Sequence, residues 1–131
     1  MPQIKIQRVN KLEAIKEIEV DEHTGAIILK STKRGQIPGN SGGRINTGYA
    51  VEIPEGYLGY IYQTPNLVQT TQLQVNTQIV TADHREELVL DITNFTYGPQ
   101  YISEGQSMAH LILLPKVEME HKVVGKIKQA K

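Results

Sequence analysis

Through residues 44–115, short runs of strand-forming residues follow one another at close, regular spacing, and turn residues separate them. "RINTGYAVEI" stops at Pro54-Glu55-Gly56, and "YLGYIYQ" follows. "LVQTTQLQVNTQIVT" alternates Leu73, Val75 and, further on, Ile79 with uncharged polar groups. "ELVLDITNF" alternates Leu88, Leu90 and Ile92, and "QYISEGQSMAHLILLP" reads as strand, Glu-Gly turn, strand. A period of two gives each strand one face for a core and one for solvent, and turns at this spacing suit a barrel or a sandwich. The chain is expected to be all-β.

Upstream the pattern is less regular. "QIKIQRV" alternates Ile4 and Ile6 with polar residues and predicts a half-buried strand. "KLEAIKEIEV" carries Leu12, Ile15 and Ile18 at a helical step, but also Ile18 and Val20 at a strand step; a strand or irregular entry is expected there. "GAIILKS" is a short buried run. "KRGQIPGNSGGR" is dense in Gly and Pro and is expected to be turns. The tail after Pro115 holds one more candidate strand and a basic end.

The 131 residues suit a single domain, 1–131, with an N-terminal entry segment over 1–22 and a basic C-terminal tail over 116–131. Formal net charge is zero, which argues against generic nucleic-acid binding. That balance hides an asymmetry. Residues 47–110 contain one base, Arg85, against seven acids, so the two ends together carry the compensating positive charge. This excess is either a solvated rim or a docking site for an acidic partner. With no cysteine there is no disulfide framework or thiolate metal site, and no apolar run is long enough to span a bilayer. A soluble, cytoplasmic protein without membrane contact is the expectation.

"GAIILKS", "IPG", "TGYAVEIPEGYLGYI", "NLVQ", "VNTQIVTADHREE", "LDITNF" and "EGQSMAHLILLP" stand in an order and spacing that resemble the trimeric dUTP pyrophosphatases (dUTPases), whose fold is shared with the dCTP deaminases. About two-thirds of the chain takes part. The resemblance implies a dUTPase-like distorted jelly roll or β-barrel assembled as a homotrimer. In such a trimer, the uncharged "QTTQLQVNTQ" stretch is compatible with a wet subunit contact. The matched turn and packing positions are Gly56, Gly59, Asn94, Gly105, Ala109 and Leu111, with Asp83 and Arg85 in the third motif.

The family's functional side chains match less well. Its first-motif Asp falls on Ile27 or Ile28, and its Arg-Ser-Gly on Thr64-Pro65-Asn66. The catalytic Asp falls on Thr81, the sugar-stacking Tyr on His84, and the following Gly on Glu86. Asp, Arg and Gln of the fourth motif become Gln106, Ser107 and His110, and no Gly-rich arginine tail is present. If the old pocket persists, Thr64, Asn66, Thr81, His84, Arg85 and Gln106 are its expected ligand-binding positions.

Other groupings carry weaker signals. "ADHREE" is the one dense ionisable cluster in the body of the chain. It offers Asp83, His84 and Glu86 as candidate catalytic groups, with Asp83, Glu86 or Glu87 able to meet Mg²⁺; an exposed turn with a local Asp–Arg pair is the plainer reading. "GNSGGR" lacks the Lys and helix of a phosphate loop and suits a surface turn. His23, His84, His110 and His121 have no metal-ligand spacing, and Ser41, Ser103 and Ser107 lie in no nucleophile motif. Tyr60 and Tyr62 share a strand face that suits burial or a subunit contact, or stacking on a base.

The leading expectation is a catalytically degenerate homotrimer, of viral or phage-like character, acting as a binding or assembly module. Its partner would be a protein or a sequestered small nucleotide, with no metal site and no cofactor. The alternative is a divergent nucleotide pyrophosphohydrolase that uses Mg²⁺ with Asp83 or Glu86 and His84, its phosphates held by Arg85 and by tail lysines such as Lys126 and Lys128. Nucleic-acid binding through the basic ends is a weaker third reading.

Overall fold

The structure is a computed structural model and describes residues 1–12, 17–65, 67 and 72–130. Among the described residues there are ten strands: β1 (Lys5–Arg8), β2 (Ile27–Lys30), β3 (Gly35–Ile37), β4 (Ser41–Glu52), β5 (Tyr57–Gln63), β6 (Leu73–Val75), β7 (Gln78–Val80), β8 (Glu87–Asn94), β9 (Gln100–Ile102) and β10 (Ser107–Pro115). Every ladder is antiparallel. One four-stranded sheet has the order β1-β4-β8-β6, a second has β2-β10-β5-β7, and β3 pairs with β9 in a two-stranded ribbon. The all-β expectation holds.

The alternation read from the sequence is what packs the sheets together. Along β8, Leu88, Leu90, Ile92 and Asn94 are buried while Glu87, Val89, Asp91 and Thr93 stay partly exposed. The inward row joins Val51, Leu73 and Val75 of its own sheet, Leu29, Ile61, Val80 and Leu111 of the second sheet, and Ile37 and Ile102 of the ribbon. One core between two sheets is a β-sandwich. Each fully buried Leu or Ile stabilises it by about 1.5–3 kcal/mol.

Strand β4 is kinked where its register with β8 shifts between Asn46 and Ala50. Gly48 supplies the left-handed backbone there at φ 80, and an added Cβ would lie 2.7 Å from Asn10. The Glu87 carboxylate pins the kink by accepting from Gly48 N at 2.9 Å and Asn46 Nδ2 at 3.3 Å.

The second sheet has an apolar outer face. Cross-strand partners share a face, so Tyr60 sits beside Ile112 and Ile79, Leu58 beside Leu114, and Tyr62 beside His110. Ile79 is 54% exposed and Leu114 38%.

Two sequence expectations need correction. "KRGQIPGNSGGR" is not all turn: residues 35–37 form β3, and Ser41 to Arg44 open β4. Gly39 does sit in a turn, where an added Cβ would be 2.2 Å from Tyr97 O, but Gly35, Gly42 and Gly43 are strand residues; an added Cβ on Gly42 would be 3.3 Å from Ile92 O and one on Gly43 2.6 Å from the Ile37 side chain. The tail forms no strand among residues 116–130, all of which are exposed. The predicted strand or irregular entry over 11–20 lies partly outside the described residues; those described form no named strand, with one bridge from Val20 to Ile27. Among the described residues no helix is long and apolar enough to cross a membrane.

Candidate active site

Residues 81–86 carry the chain from β7 in one sheet to β8 in the other. His84 N donates to Thr81 O at 3.1 Å and closes a turn, so strand alternation does not set Asp83 and His84 apart. Thr81 Oγ1 donates to Asp83 Oδ1. That bond is the main reason the exposed Asp83 carboxyl sits below its ordinary 3.8, with help from its own backbone N–H and from the charges of Arg85 and His84. Asp83 is therefore an anion at neutral pH.

Arg85 braces the turn by donating through Nη1 to the carbonyls of Ala82 and His84. Its Nη2 lies 3.5 Å from Glu52 Oε1, while Lys5 lies 3.4 Å from Glu52 Oε2. His84 Nδ1 is 3.5 Å from Glu86 Oε2; His84 Nε2 is buried and lacks a hydrogen-bond partner among the described residues. Asp83, Arg85, Glu52 and Glu55 line an open groove of about 460 Å³. Glu87 takes no part, because both its oxygens are engaged at the β4 kink.

The other candidate positions gather at the opposite end of the second sheet. Thr64 follows β5 and donates its N–H to Met108 O at 3.1 Å; its Oγ1 is buried without a hydrogen-bond partner among the described residues. Gln106 turns its Oε1 onto Ser103 N at 2.8 Å, which caps its own turn. Ser107 pairs with Lys30 on β2. His110 is buried, 3.9 Å from Asp21 Oδ2 and edge-on to Tyr62. Asn66 lies outside the described residues.

A group of cations at this end was missed in the sequence. Ser31 N donates to Gln106 O at 2.9 Å, and Gly105 N donates to Ser31 O at 2.8 Å. These two bonds dock the turn "KSTKR" (residues 30–34) onto the start of β10. Lys30 stands beside Ser107 with its ammonium on Glu19, and Lys33 and Arg34 are exposed in the same turn. Lys33 and Arg34 thus add exposed positive charge, on the turn docked to Gly105 and Gln106, that the count over 47–110 leaves out. The legible signal was the basic cluster directly after "GAIIL".

Within one chain the two clusters do not meet. Gly59 is opposite Val80 and Gln63 is opposite Ala109, so Thr81 and Thr64 lie near opposite ends of β5. Six residues of strand separate them by about 20 Å.

This architecture is that of the dUTPase-like β proteins, as the sequence resemblance implied. A variant dUTPase of phage phi11 of S. aureus, solved with a structural Mg(II) ion, superposes with a TM-score of 0.79 at 20% identity, covering 95% of this chain and 97% of that one. A variant dUTPase of Staphylococcus bacteriophage 80alpha, solved with dUpNHpp, gives a TM-score of 0.79 at 18% identity over 98% of this chain and 92% of that one. In sequence, a probable deoxyuridine 5'-triphosphate nucleotidohydrolase of Invertebrate iridescent virus 6 is 28% identical over 99 residues, which is 76% of this chain. The chain spans about a third (33%) of the length of that curated relative. No family model matches.

These findings correct two expectations. The proteins that the chain resembles are named as nucleotide hydrolases, and one carries a nucleotide analogue, so the reading as a degenerate binding or assembly module gives way to the hydrolase alternative. The expectation of no cofactor gives way as well, since the phi11 enzyme holds Mg(II). Both errors came from reading motif side chains one by one along the chain. Lys33 and Arg34 lie outside the motifs counted, and Lys30 lies outside the charge count over 47–110.

Mg²⁺ suits this chain in one way. No three His, Asp or Glu side chains cluster among the described residues, so an all-protein cage does not fit. Mg²⁺ keeps several waters and is commonly held by one or two carboxylates together with substrate phosphates. The ionised, exposed Asp83 meets that requirement.

Proposed function

We propose that this protein is a divergent dUTPase-like nucleotide pyrophosphohydrolase that cleaves dUTP to dUMP and pyrophosphate. The observation that carries this reading is the docking of residues 30–34 on Gly105 and Gln106. It sets Lys30, Lys33 and Arg34 at the end of the sheet where the phosphate-binding motif positions gather. Cations and dense donors are what a triphosphate requires.

Asp83 is the base of this reaction. Its depressed pKa keeps it ionised, and its outer oxygen orients a water and takes its proton as the water oxygen attacks the α-phosphorus. The bond from the α-phosphorus to the α–β bridging oxygen breaks, and pyrophosphate leaves with that oxygen. Lys33 and Arg34 offset the charge that develops on it, and Lys126 and Lys128 of the exposed tail can add to them. Mg²⁺, when bound to the phosphates beside Asp83, would polarise them. Thr81 holds Asp83, and Arg85 holds the turn.

Because the two clusters are about 20 Å apart in one chain, a shared pocket needs a second copy. The apolar outer face of Leu58, Tyr60, Ile79, Ile112 and Leu114 supplies a surface for it. A homotrimer built on this face is the assembly we propose.

The test is turnover of dUTP with Mg²⁺ by the purified chain, alongside Asp83→Asn and a Lys33→Ala/Arg34→Ala pair. Pyrophosphate release that falls at least about 100-fold in Asp83→Asn, and a raised KM in the lysine–arginine pair, are expected. Absence of turnover on a panel of dUTP, dCTP and other nucleoside triphosphates would sink the proposal.

A further inference from the structure

The loop after β8 and the β3–β9 ribbon present three aromatic side chains to solvent. Phe95 is 68% exposed, Tyr97 95% and Tyr101 65%, whereas Tyr49 is buried and Tyr57, Tyr60 and Tyr62 are partly covered. Tyr101 lies opposite Gln36 on the outer face of the ribbon, whose inner face sends Ile37 and Ile102 into the core. Exposed aromatics grouped within seven residues are uncommon on a surface that meets only water.

The loop that displays them is held tightly. Asn94 is fully buried, and its Nδ2 donates to Ile37 O at 2.9 Å, Pro38 O at 3.1 Å and Gly98 O at 2.9 Å. Its Oδ1 accepts from Thr96 N at 2.9 Å and Thr96 Oγ1 at 2.7 Å. Asn40 N donates to Thr96 O at 2.8 Å, which ties the loop to the β3–β4 turn. Aromatic side chains on a backbone fixed in this way lose little further freedom when they are covered.

Charge indicates what covers them. Residues 35–43 and 92–103 contain no Asp, Glu, Lys, Arg or His, although 21% of the chain is Asp, Glu, Lys or Arg. A nucleic acid would need Lys or Arg at its phosphates, and an acidic or basic peptide would need the opposite charge. A twofold contact sets a patch against its own copy, so each charge in it meets a like charge near the axis. An uncharged patch escapes that repulsion. Arg34 and Glu104 flank one end of the ribbon with both signs.

We propose that the β3–β9 ribbon and the 95–99 loop form a self-docking surface, at which a second copy of this chain meets the first about a twofold axis through the Phe95, Tyr97 and Tyr101 side chains. This contact is separate from the apolar face of the second sheet. With its axis at right angles to that assembly's own axis, the contact closes two such assemblies into a particle of twice the mass.

The experiment is light-scattering mass across a concentration series for the wild type, Tyr97→Ser and Phe95→Ser/Tyr101→Ser. The expected result is a wild-type particle twice the mass of either variant at high concentration. Its mass should survive about 1 M salt, where the Debye length is about 3 Å, because no charge pair holds it. Equal masses for wild type and variants, or a wild-type mass that halves in salt, would overturn the proposal. The substituted side chains point to solvent, so unchanged melting curves are expected and separate a lost contact from a lost fold. dUTP turnover measured on the same samples is an independent readout; its absence would count against the hydrolase reading and leave the mass comparison intact.

Discussion

Two turns of this molecule invite comparison: the corner around Asn94, and the hairpin of residues 81–86 that carries Asp83. The corner is fixed from inside. One buried amide shares its two N–H donors among three backbone carbonyls and accepts from Thr96 twice. The hairpin is fixed from outside, by the exposed Arg85 guanidinium on two carbonyls and by Thr81 on Asp83. A buried hydrogen bond lost leaves groups that water cannot reach, whereas an exposed one is replaced by water. The corner therefore governs whether the chain folds, and the hairpin is free to hold chemistry.

The largest effect that could break this contrast is at the corner. Asn94→Ala takes the side-chain donor from the buried Ile37 carbonyl and releases the outer carbonyls of Pro38 and Gly98, and a loss of about 2–3 kcal/mol is expected in urea unfolding. A loss below about 1 kcal/mol would mean that water enters the corner and that the two turns do not differ in kind. Asp83→Asn comes next and acts on the other side of the comparison. Turnover should fall about 100-fold or more while the unfolding midpoint drops only slightly, by the small contribution of the low Asp83 pKa. Glu87→Ala separates neighbours within the same acidic run: it frees Gly48 N at the β4 kink, so about 1–2 kcal/mol of stability should go with kcat unchanged. A fall in kcat beyond what the unfolded fraction explains would return Glu87 to the site.

The contrast also explains what the sequence revealed. Alternation in "ELVLDITNF" was enough to point Leu88, Leu90, Ile92 and Asn94 inward, because period two and one buried face leave a single register. The resemblance carried the fold through turn positions such as Asn94 for the same reason. The site was harder to read because its groups are distant in sequence. The turn of Lys30, Lys33 and Arg34 is set against residues 105–107 by the β2–β10 ladder and the two backbone bonds of Ser31, and no spacing rule brings residue 31 next to residue 106. The β3 strand and the start of β4 were hidden by glycines that sequence reasoning assigns to turns, whereas Gly35, Gly42 and Gly43 are strand residues and an added Cβ on Gly43 would lie 2.6 Å from the Ile37 side chain.

The smallest effect probes the hairpin alone. Thr81→Ala removes the hydroxyl that contributes most to the low pKa of Asp83, so the carboxyl should titrate closer to its ordinary 3.8. The sign for stability follows. A folded-state pKa below the unfolded one contributes stability that is present above about 3.8 and is lost as the pH falls through the lower folded value. Thr81→Ala should shrink that contribution and leave stability near neutral pH slightly lower, with most of the change confined to the hairpin. A carboxyl-detected NMR titration of Asp83 in both proteins reads this directly. If Asp83 titrates at the same pH with and without Thr81, then Arg85 and the backbone hold the anion. The hydroxyl would then be free to meet substrate, and the hairpin would have more chemistry available than a single carboxylate.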